Sequence, residues 1–461
     1  MPEKILLINP WIYDFAAYDM WSRPLGLLYI GGLLLRNGYE INLINCLDRY
    51  NPRLLKFQNR ESPKNSKYGC GKFHKEVIQS PGVLKDIKRR YGRYGLPMNI
   101  FRRELENQPQ PDVIMVTSGM TYWYPGVFAV IEEIHKYYPG IPVVLGGIYA
   151  TLCYEHAVKY SGADYIIPGE GEVKALKLIS ELTKKQICYL PENLDDYPYP
   201  AHHLMTNQNE IAILTSRGCP IGCTYCASKL LAGKFRQRDP AKIIEELDFY
   251  RKNFVTRDFV FYDDALLINP DKHIIPILRE IIKLNFKCNF HTPNAIHAKQ
   301  INEEIAELMF KSGFKTIRIG FETSDEFRQK KTGNKVTSDE FYRAVKNLKK
   351  AGYPETDIGV YVLMGLPEQP VEEVFESVRY VHNCGALVKL AMYSPIPGTT
   401  EWKRALEISD FDLDSDPLLH NNSIYPLRSK SMNIQDFQRI KKFVIECNLR
   451  LKSRTKMRNK G

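Results

Sequence analysis

The sequence predicts an α/β protein in two halves: a doubly wound, flavodoxin-like sheet, then a run of six strand–helix units. Three observations predict it. Short apolar runs bounded by Gly and Pro alternate with longer amphipathic runs over most of the chain. The alternation breaks at 49–110 and again at 186–208, which separates a five-strand set from a six-strand set. A chain of 461 residues exceeds one ordinary domain, and 44% hydrophobic residues suffice for large cores.

The first half opens on an apolar strand at 5–9 (ILLIN), a helical apolar face at 25–36 stopped by Asn37-Gly38, and a second strand at 40–45, a βαβ opening. Residues 49–110 read as an insertion containing YGCGK (68–72) and a helix around 83–90. Alternation resumes with a strand at 113–117, a helix at 127–137, strands at 143–145 and 165–167, and a helix at 173–182. Ligands of such sheets bind beyond the carboxyl ends of the strands. Residues 186–208, rich in Pro, Asp and Tyr, read as a linker; its His202-His203 pair more often faces two ways than one metal.

In the second half, strands are expected at 211–216, 258–262, 287–291, 316–321, 359–364 and 388–393, with helices at 240–253, 270–283, 303–312, 338–351 and 371–384. Pro240 and Pro270 suit first helical turns, and Gly313 and Gly352 suit helix ends. The expected boundaries are 1–172 for the first domain, 173–208 for helix and linker, 209–402 for the second domain, and 403–461 for a helical cap (434–451) over the site, with a basic tail.

Charge is uneven. The chain carries +11, and residues 51–100 alone hold twelve Lys and Arg against three Asp and Glu. A second run, Arg450, Lys452, Arg454, Lys456, Arg458 and Lys460, closes the chain. Such runs are commonly solvated faces; the sharper reading is an anionic partner such as nucleic acid. Ten cysteines without regular pairing and no signal-peptide pattern fit a reducing, cytoplasmic setting. No apolar run nears the length of a membrane span.

The chemistry concentrates at residues 217–228, RGCPIGCTYCAS. Cys219, Cys223 and Cys226 stand in CxxxCxxC spacing on a loop opened by Gly218 and Gly222. Three thiolates so close can hold an iron–sulfur cluster, and three ligands for four irons leave one iron open to a chelating small molecule. The blander readings are a three-cysteine zinc site completed by a histidine, or chance.

With Tyr225 before the last cysteine, the loop resembles that of the radical S-adenosylmethionine (SAM) superfamily. The resemblance implies a partial (βα)6 barrel, a 4Fe–4S cluster on Cys219, Cys223 and Cys226, and SAM cleaved reductively to a 5′-deoxyadenosyl radical. It implies SAM contacts from Tyr225, from Asp263 and Asp264 after the second barrel strand (Asp263 favoured), and from Glu322 on the fourth. Gly365 on the fifth would lie against adenine, and Pro395 after the sixth would present backbone to it. Each has a bland alternative: a loop-capping aspartate, or Glu322 paired with Arg318. His291 and Asn294 end the third strand and face either substrate or structure.

The first half resembles the cobalamin-binding domain that precedes many radical SAM barrels. The matching features are Pro24-Leu25-Gly26, Ser118-Gly119-Met120, Gly146-Gly147 and the junction LDDYPYPA (194–201). It implies cobalamin near Ser118, Met120, Gly146 and Gly147, with Trp123 of Tyr122-Trp123-Tyr124 toward the corrin; ordinary turn glycines and packing aromatics are the alternative. Asn45–Tyr50 (NCLDRY) holds no histidine, so no cobalt ligand is expected there. The expected function is methyl transfer to a poorly nucleophilic carbon or phosphorus, served by a low-potential donor such as flavodoxin or ferredoxin. The competitors are a non-methylating radical cyclase or rearrangement enzyme and an RNA modifier using the basic insertion. Methylthio transfer would need a second group of cysteines, whereas the other seven are scattered.

Overall fold

A computed structural model describes residues 2–429 and 432–458. Lys460 of the basic tail lies outside the described residues, as do the side chains of Lys456 and Arg458. The chain forms two compact units, one of residues 1–210 with 414–420, the other of 211–413 with 421–461.

The first unit is a parallel sheet of β1 (Lys4–Asn9), β2 (Glu40–Asn45), β3 (Val113–Val116), β4 (Val143–Gly146) and β5 (Tyr165–Ile167), in the order β2-β1-β3-β4-β5. That is the flavodoxin-like order. Alternation along β1 sends Leu6 and Ile8 to one face and Ile5 and Leu7 to the other. The first face is covered by α2 (Met98–Glu106) through Phe101 and Leu105, and by α3 (Tyr124–Tyr137) through Val127, Val130, Ile131 and Ile134. The second is covered by α1 (Leu25–Arg36) through Leu27, Leu33 and Leu34, and by α4 (Glu172–Thr183) through Ala175, Leu176 and Ile179. Helices on both faces bury the strands on both sides, which is why they read as continuous apolar runs.

The insertion is more ordered than its composition suggests. Lys75–Val77 and Gly92–Tyr94 pair antiparallel, and the latter pairs with Ile12–Asp14. Arg49, 4% exposed, ties the segment together: its guanidinium donates to Asp19, Gly69 O, Lys64 O and Asn65. The helix expected at 83–90 does not form; only a 3-10 turn, Gly82–Leu84, occurs. Leu84 alone is buried there, so a helix would have no apolar face to hide. The insertion's longer helix is α2, begun after Pro97.

The second unit carries β6 (Glu210–Ile213), β7 (Asp258–Phe261), β8 (Asn289–His291), β9 (Phe314–Glu322), β10 (Ile358–Met364) and β11 (Leu387–Met392), hydrogen-bonded in sequence order. Helices α5 (Pro240–Asn253), α6 (Ile274–Lys283), α7 (Glu303–Ser312), α8 (Ser338–Lys350) and α9 (Val371–Cys384) connect them, giving the strand order of a partial (βα)6 barrel. Phe259, Phe261, Phe290 and Phe314 stack across β7, β8 and β9. The predicted first strand is shorter than expected: it stops at Ile213, and Ser216–Arg217 pairs antiparallel with Arg236–Gln237 to form the root of the cysteine loop. The chain ends in α10 (Thr400–Ile408) and α11 (Ile434–Arg458). Residues 414–420 leave this C-terminal stretch and pack in the first unit, so 403–461 is not one cap. No helix among the described residues is long and apolar enough to cross a membrane.

Candidate active site

The cysteine loop is held at both ends. At its root, Asp263 accepts from Thr215 N and Oγ1 (2.7 Å to the latter) and from Ser216 Oγ at 2.5 Å. His273 Nε2 lies 2.8 Å from the same Thr215 hydroxyl. Burial pushes Asp263 up to about 6 and His273 down to about 4. Farther along, Thr224 Oγ1 donates to Glu401 at the start of α10 (2.8 Å), and Thr224 N donates to Thr332 O. Gly333, at φ +117°, lets that turn sit on the loop: a Cβ there would lie 3.0 Å from Cys223 Cα and Gly222 O.

The three thiols share one electrostatic neighbourhood. Burial pushes Cys219 and Cys226 up and Cys223 to about 11, while Lys335 pulls all three back down. Against the burial that raises Cys223, the neighbouring Tyr225 hydroxyl also pulls it down. Among the described residues no three His, Cys, Asp or Glu side chains converge on a single-ion position. Three thiols gathered by one loop beside one cation suit a multi-iron cluster in which each iron takes one thiolate.

Lys335 joins the candidate site although sequence reasoning missed it. Its ammonium lies 3.0 Å from Glu322 Oε1, with the side chains 15% and 12% exposed. Burial works against its charge, but Glu322 and the thiols more than offset this, so its pKa stands above the ordinary value. Glu322 does not pair with Arg318. A bulge between Gly320 and Glu322 and a left-handed Glu322 (φ +66°) break the alternation that would have put both on one face. Gly320 makes room for the pair: a Cβ there would lie 2.4 Å from Lys335 Nζ and 2.8 Å from Glu322 Oε1.

Other sequence-predicted residues fall differently. Asp263 is 4% exposed and saturated by the loop it anchors, whereas Asp264 is exposed, accepts from Ser228 Oγ (2.5 Å) and acts on Cys219 and Cys226. Asp264 is therefore the carboxylate on the thiol side. Gly365 (φ +93°) faces the Phe437 ring of α11, 3.2 Å from where a Cβ would be. Pro395 is buried just after β11. His291, fully buried, bonds Asp258 and Thr316 and is structural; Asn294 donates to Tyr262 O.

In the first unit, the small residues after β3 and β4 meet one another. Ser118 Oγ donates to Gly146 O (2.7 Å), and a Cβ on Gly147 (φ +97°) would lie 2.4 Å from Ser118 O. Trp123 Nε1 donates to Asp14 (2.8 Å). Ser118 and Trp123 thus shape the loops, while Met120, Gly146 and Gly147 stay part-exposed at the carboxyl ends of the strands. Two part-exposed glycines beside Met120 leave backbone open at the strand ends, where a bulky flat ligand such as cobalamin can approach. A separate cleft of about 490 Å³, lined by Asn45, Asp48, Arg53, Glu104 and Thr206, opens beside the end of β2.

Comparisons with known proteins address both units. The model of the Radical SAM superfamily matches residues 213–381, and that of the B12 binding domain matches residues 100–178. The first span includes the cysteines, Asp263, Asp264, Glu322, Lys335 and Gly365 but not Pro395; the second includes Ser118 to Gly147. An uncharacterized methyltransferase of Pyrococcus horikoshii is 24% identical over 326 residues, 64% of this chain and 70% of that protein. An anaerobic magnesium-protoporphyrin IX monomethyl ester cyclase of Rubrivivax gelatinosus is 21% identical over 67% of this chain and 62% of its own length. The fold is similar to that of the radical SAM methyltransferase TsrM from Kitasatospora setae, solved with cobalamin and a 4Fe–4S cluster. The TM-score is 0.64 at 16% identity, covering 89% of this chain and 78% of that one. The sheet ahead of the cysteines is therefore a B12-binding domain, and the chain is an enzyme of the radical SAM superfamily.

Proposed function

We propose that this enzyme is a cobalamin-dependent radical SAM methyltransferase acting on a poorly activated carbon or phosphorus. The observation that carries the reading is the cysteine loop and its Lys335–Glu322 pair in a chain that also bears a B12-binding domain. When bound, the cluster and SAM supply radical chemistry and cobalamin supplies a methyl group.

The chain's own residues divide the work. Cys219, Cys223 and Cys226 hold the cluster, and Lys335 lowers the cost of deprotonating them, which metal binding requires. Asp264 accepts from the SAM ammonium, and the Glu322–Lys335 pair offers an acceptor and a cation for its ribose and carboxylate. Tyr225, Gly365 and Pro395 bound the nucleoside end, with Gly365 acting through Phe437. Met120, Gly146 and Gly147 receive cobalamin, on loops shaped by Ser118 and Trp123. The reductant is a low-potential donor of the flavodoxin or ferredoxin type, and the setting is cytoplasmic.

The test is product stoichiometry with reconstituted enzyme and a methyl acceptor. Methylation consumes SAM both as methyl donor and as radical source, so S-adenosylhomocysteine and 5′-deoxyadenosine are expected together. 5′-Deoxyadenosine alone would favour a non-methylating reaction, which the similarity to a ring-forming cyclase supports as the second reading. The basic insertion speaks less for RNA than its composition does. Arg49, Arg53 and Arg93 are paired with Asp19, Glu104 and Glu76, leaving exposed lysines such as Lys56, Lys64 and Lys88 for an anionic partner.

A further inference from the structure

His297 belongs to none of the motifs that mark the candidate site. It sits on a two-residue strand, Ile296–His297, that pairs parallel to β9 with His297 opposite Gly320. The same stretch of β9 therefore positions both Glu322 and this ring. The imidazole is 3% exposed. Its Nε2 lies 3.9 Å from Cys219 Sγ, and its Nδ1 is buried with no hydrogen-bond partner.

We propose that His297 donates an Nε2–H···S hydrogen bond to the Cys219 sulfur and so raises the reduction potential of the cluster that sulfur holds. The proposal rests on Cys219 being a cluster ligand. Three observations favour it over a packing role. A buried imidazole with one orphaned nitrogen carries a desolvation cost that an apolar side chain of similar size would avoid. Of its two nitrogens, only Nε2 has an acceptor, and a neutral ring places its proton where the acceptor is. That acceptor is a thiol of the cysteine loop rather than a backbone group of the barrel.

The physical consequence follows from charge. One-electron reduction adds negative charge that the cluster sulfurs share. An N–H dipole aimed at a ligand sulfur stabilises the reduced state more than the oxidised one, and hydrogen bonds to sulfur are among the levers on such potentials. Burial strengthens the effect by removing competing water. No bond to carbon, nitrogen or sulfur is made or broken; His297 keeps its proton throughout and is a positioning residue, not a catalytic one.

The experiment is an EPR-monitored redox titration of anaerobically reconstituted full-length protein as wild type, His297→Leu and His297→Gln, with iron and zinc analysed in each. His297→Leu is expected to retain about the same iron and to lower the reduction equilibrium constant tenfold or more, about 59 mV for one electron. His297→Gln, which keeps an N–H donor, should recover most of that loss. If His297→Leu fails to fold, wild type labelled with ¹⁵N-histidine decides: a weak ¹⁵N hyperfine coupling to the reduced cluster is expected, and its absence overturns the proposal. An unchanged midpoint in an iron-replete His297→Leu overturns it while leaving the cysteine assignment intact. Wild type that assembles no cluster and retains zinc overturns both, and would make His297 the fourth ligand of a zinc site.

Discussion

At the scale of the residue, the site's chemistry turns on buried groups whose charges are balanced locally. Asp263 and His273 share the Thr215 hydroxyl, one accepting from it and the other donating to it. Their pH responses run in opposite directions. His273, depressed from 6.5 to about 4, stabilises the fold above pH 6.5, and that stability is lost as pH falls through 4. Asp263, raised from 3.8 to about 6, contributes stability fully present below pH 3.8 and lost as pH rises through 6. Each shift is worth about 3 kcal/mol, so between pH 6.5 and 4 they nearly cancel. Asp263→Asn should leave the His273 response unopposed. Urea unfolding at pH 7 and at pH 4.5 is expected to show the variant losing about 2–3 kcal/mol more than wild type on acidification, and equal losses would refute the coupling. The three cysteines and Glu322 of the candidate site were legible in the sequence as candidates because their spacing and strand-end position are local patterns. Lys335 and His297 were not: neither lies in a motif, and only the folding of separate segments onto β9 brings them to the loop.

At the scale of the element, β9 is where the site is organised. Its outer end carries a bulge, a left-handed Glu322 and a glycine opposite His297. A periodic reading of the strand put Arg318 and Glu322 on one face; a bulge is invisible to periodicity, because it inserts a residue without changing the apolar pattern around it. The insertion failed to be read for the converse reason: 83–90 has helix-forming residues but one buried anchor, and tertiary context decided. Strands and helices with a clear apolar face, such as α5, α7 and α9, were placed within a residue or two. The bulge makes Gly320 a test of the element. Gly320→Ala puts a methyl against the free ends of Lys335 and Glu322, and 3.2 Å from Ala295 Cβ. The flexible ends can move aside, so thermal stability should fall by no more than about 1 kcal/mol. The pair is displaced in doing so. SAM affinity, measured by calorimetry on the iron-replete protein, should fall about tenfold, equivalent to about 1.4 kcal/mol. A variant that binds SAM as tightly as wild type would remove Glu322 and Lys335 from the SAM site.

At the scale of the whole molecule, the chain is not two beads in series. The first unit is completed by a segment more than two hundred residues downstream: Pro417–His420 is buried throughout, with Leu418 1% and His420 2% exposed. Asp416 accepts from Tyr124 Oη at 3.0 Å, and His420 Nδ1 lies 3.1 Å from Thr121 Oγ1, so the segment fastens the turn and helix that follow β3. Sequence alone could not assign it, since a seven-residue stretch of mixed Asp, Pro and Leu has no period to read. The consequence is that the loops bearing Met120 and Trp123 depend on residues outside the B12-binding match, and a protein cut at 210 lacks part of its first unit. Leu418→Ala isolates this dependence without touching any residue assigned to a cofactor. Truncating a fully buried leucine costs about 2–5 kcal/mol, and here the cost falls on the first unit. Differential scanning calorimetry should show the transition of that unit moving down by several degrees while iron content and the cluster's visible absorption stay at wild-type levels. Cobalamin retained after desalting should drop in parallel, because the loop after β3 loses its support. Loss of iron together with cobalamin would mean instead that Leu418 supports the fold as a single cooperative block.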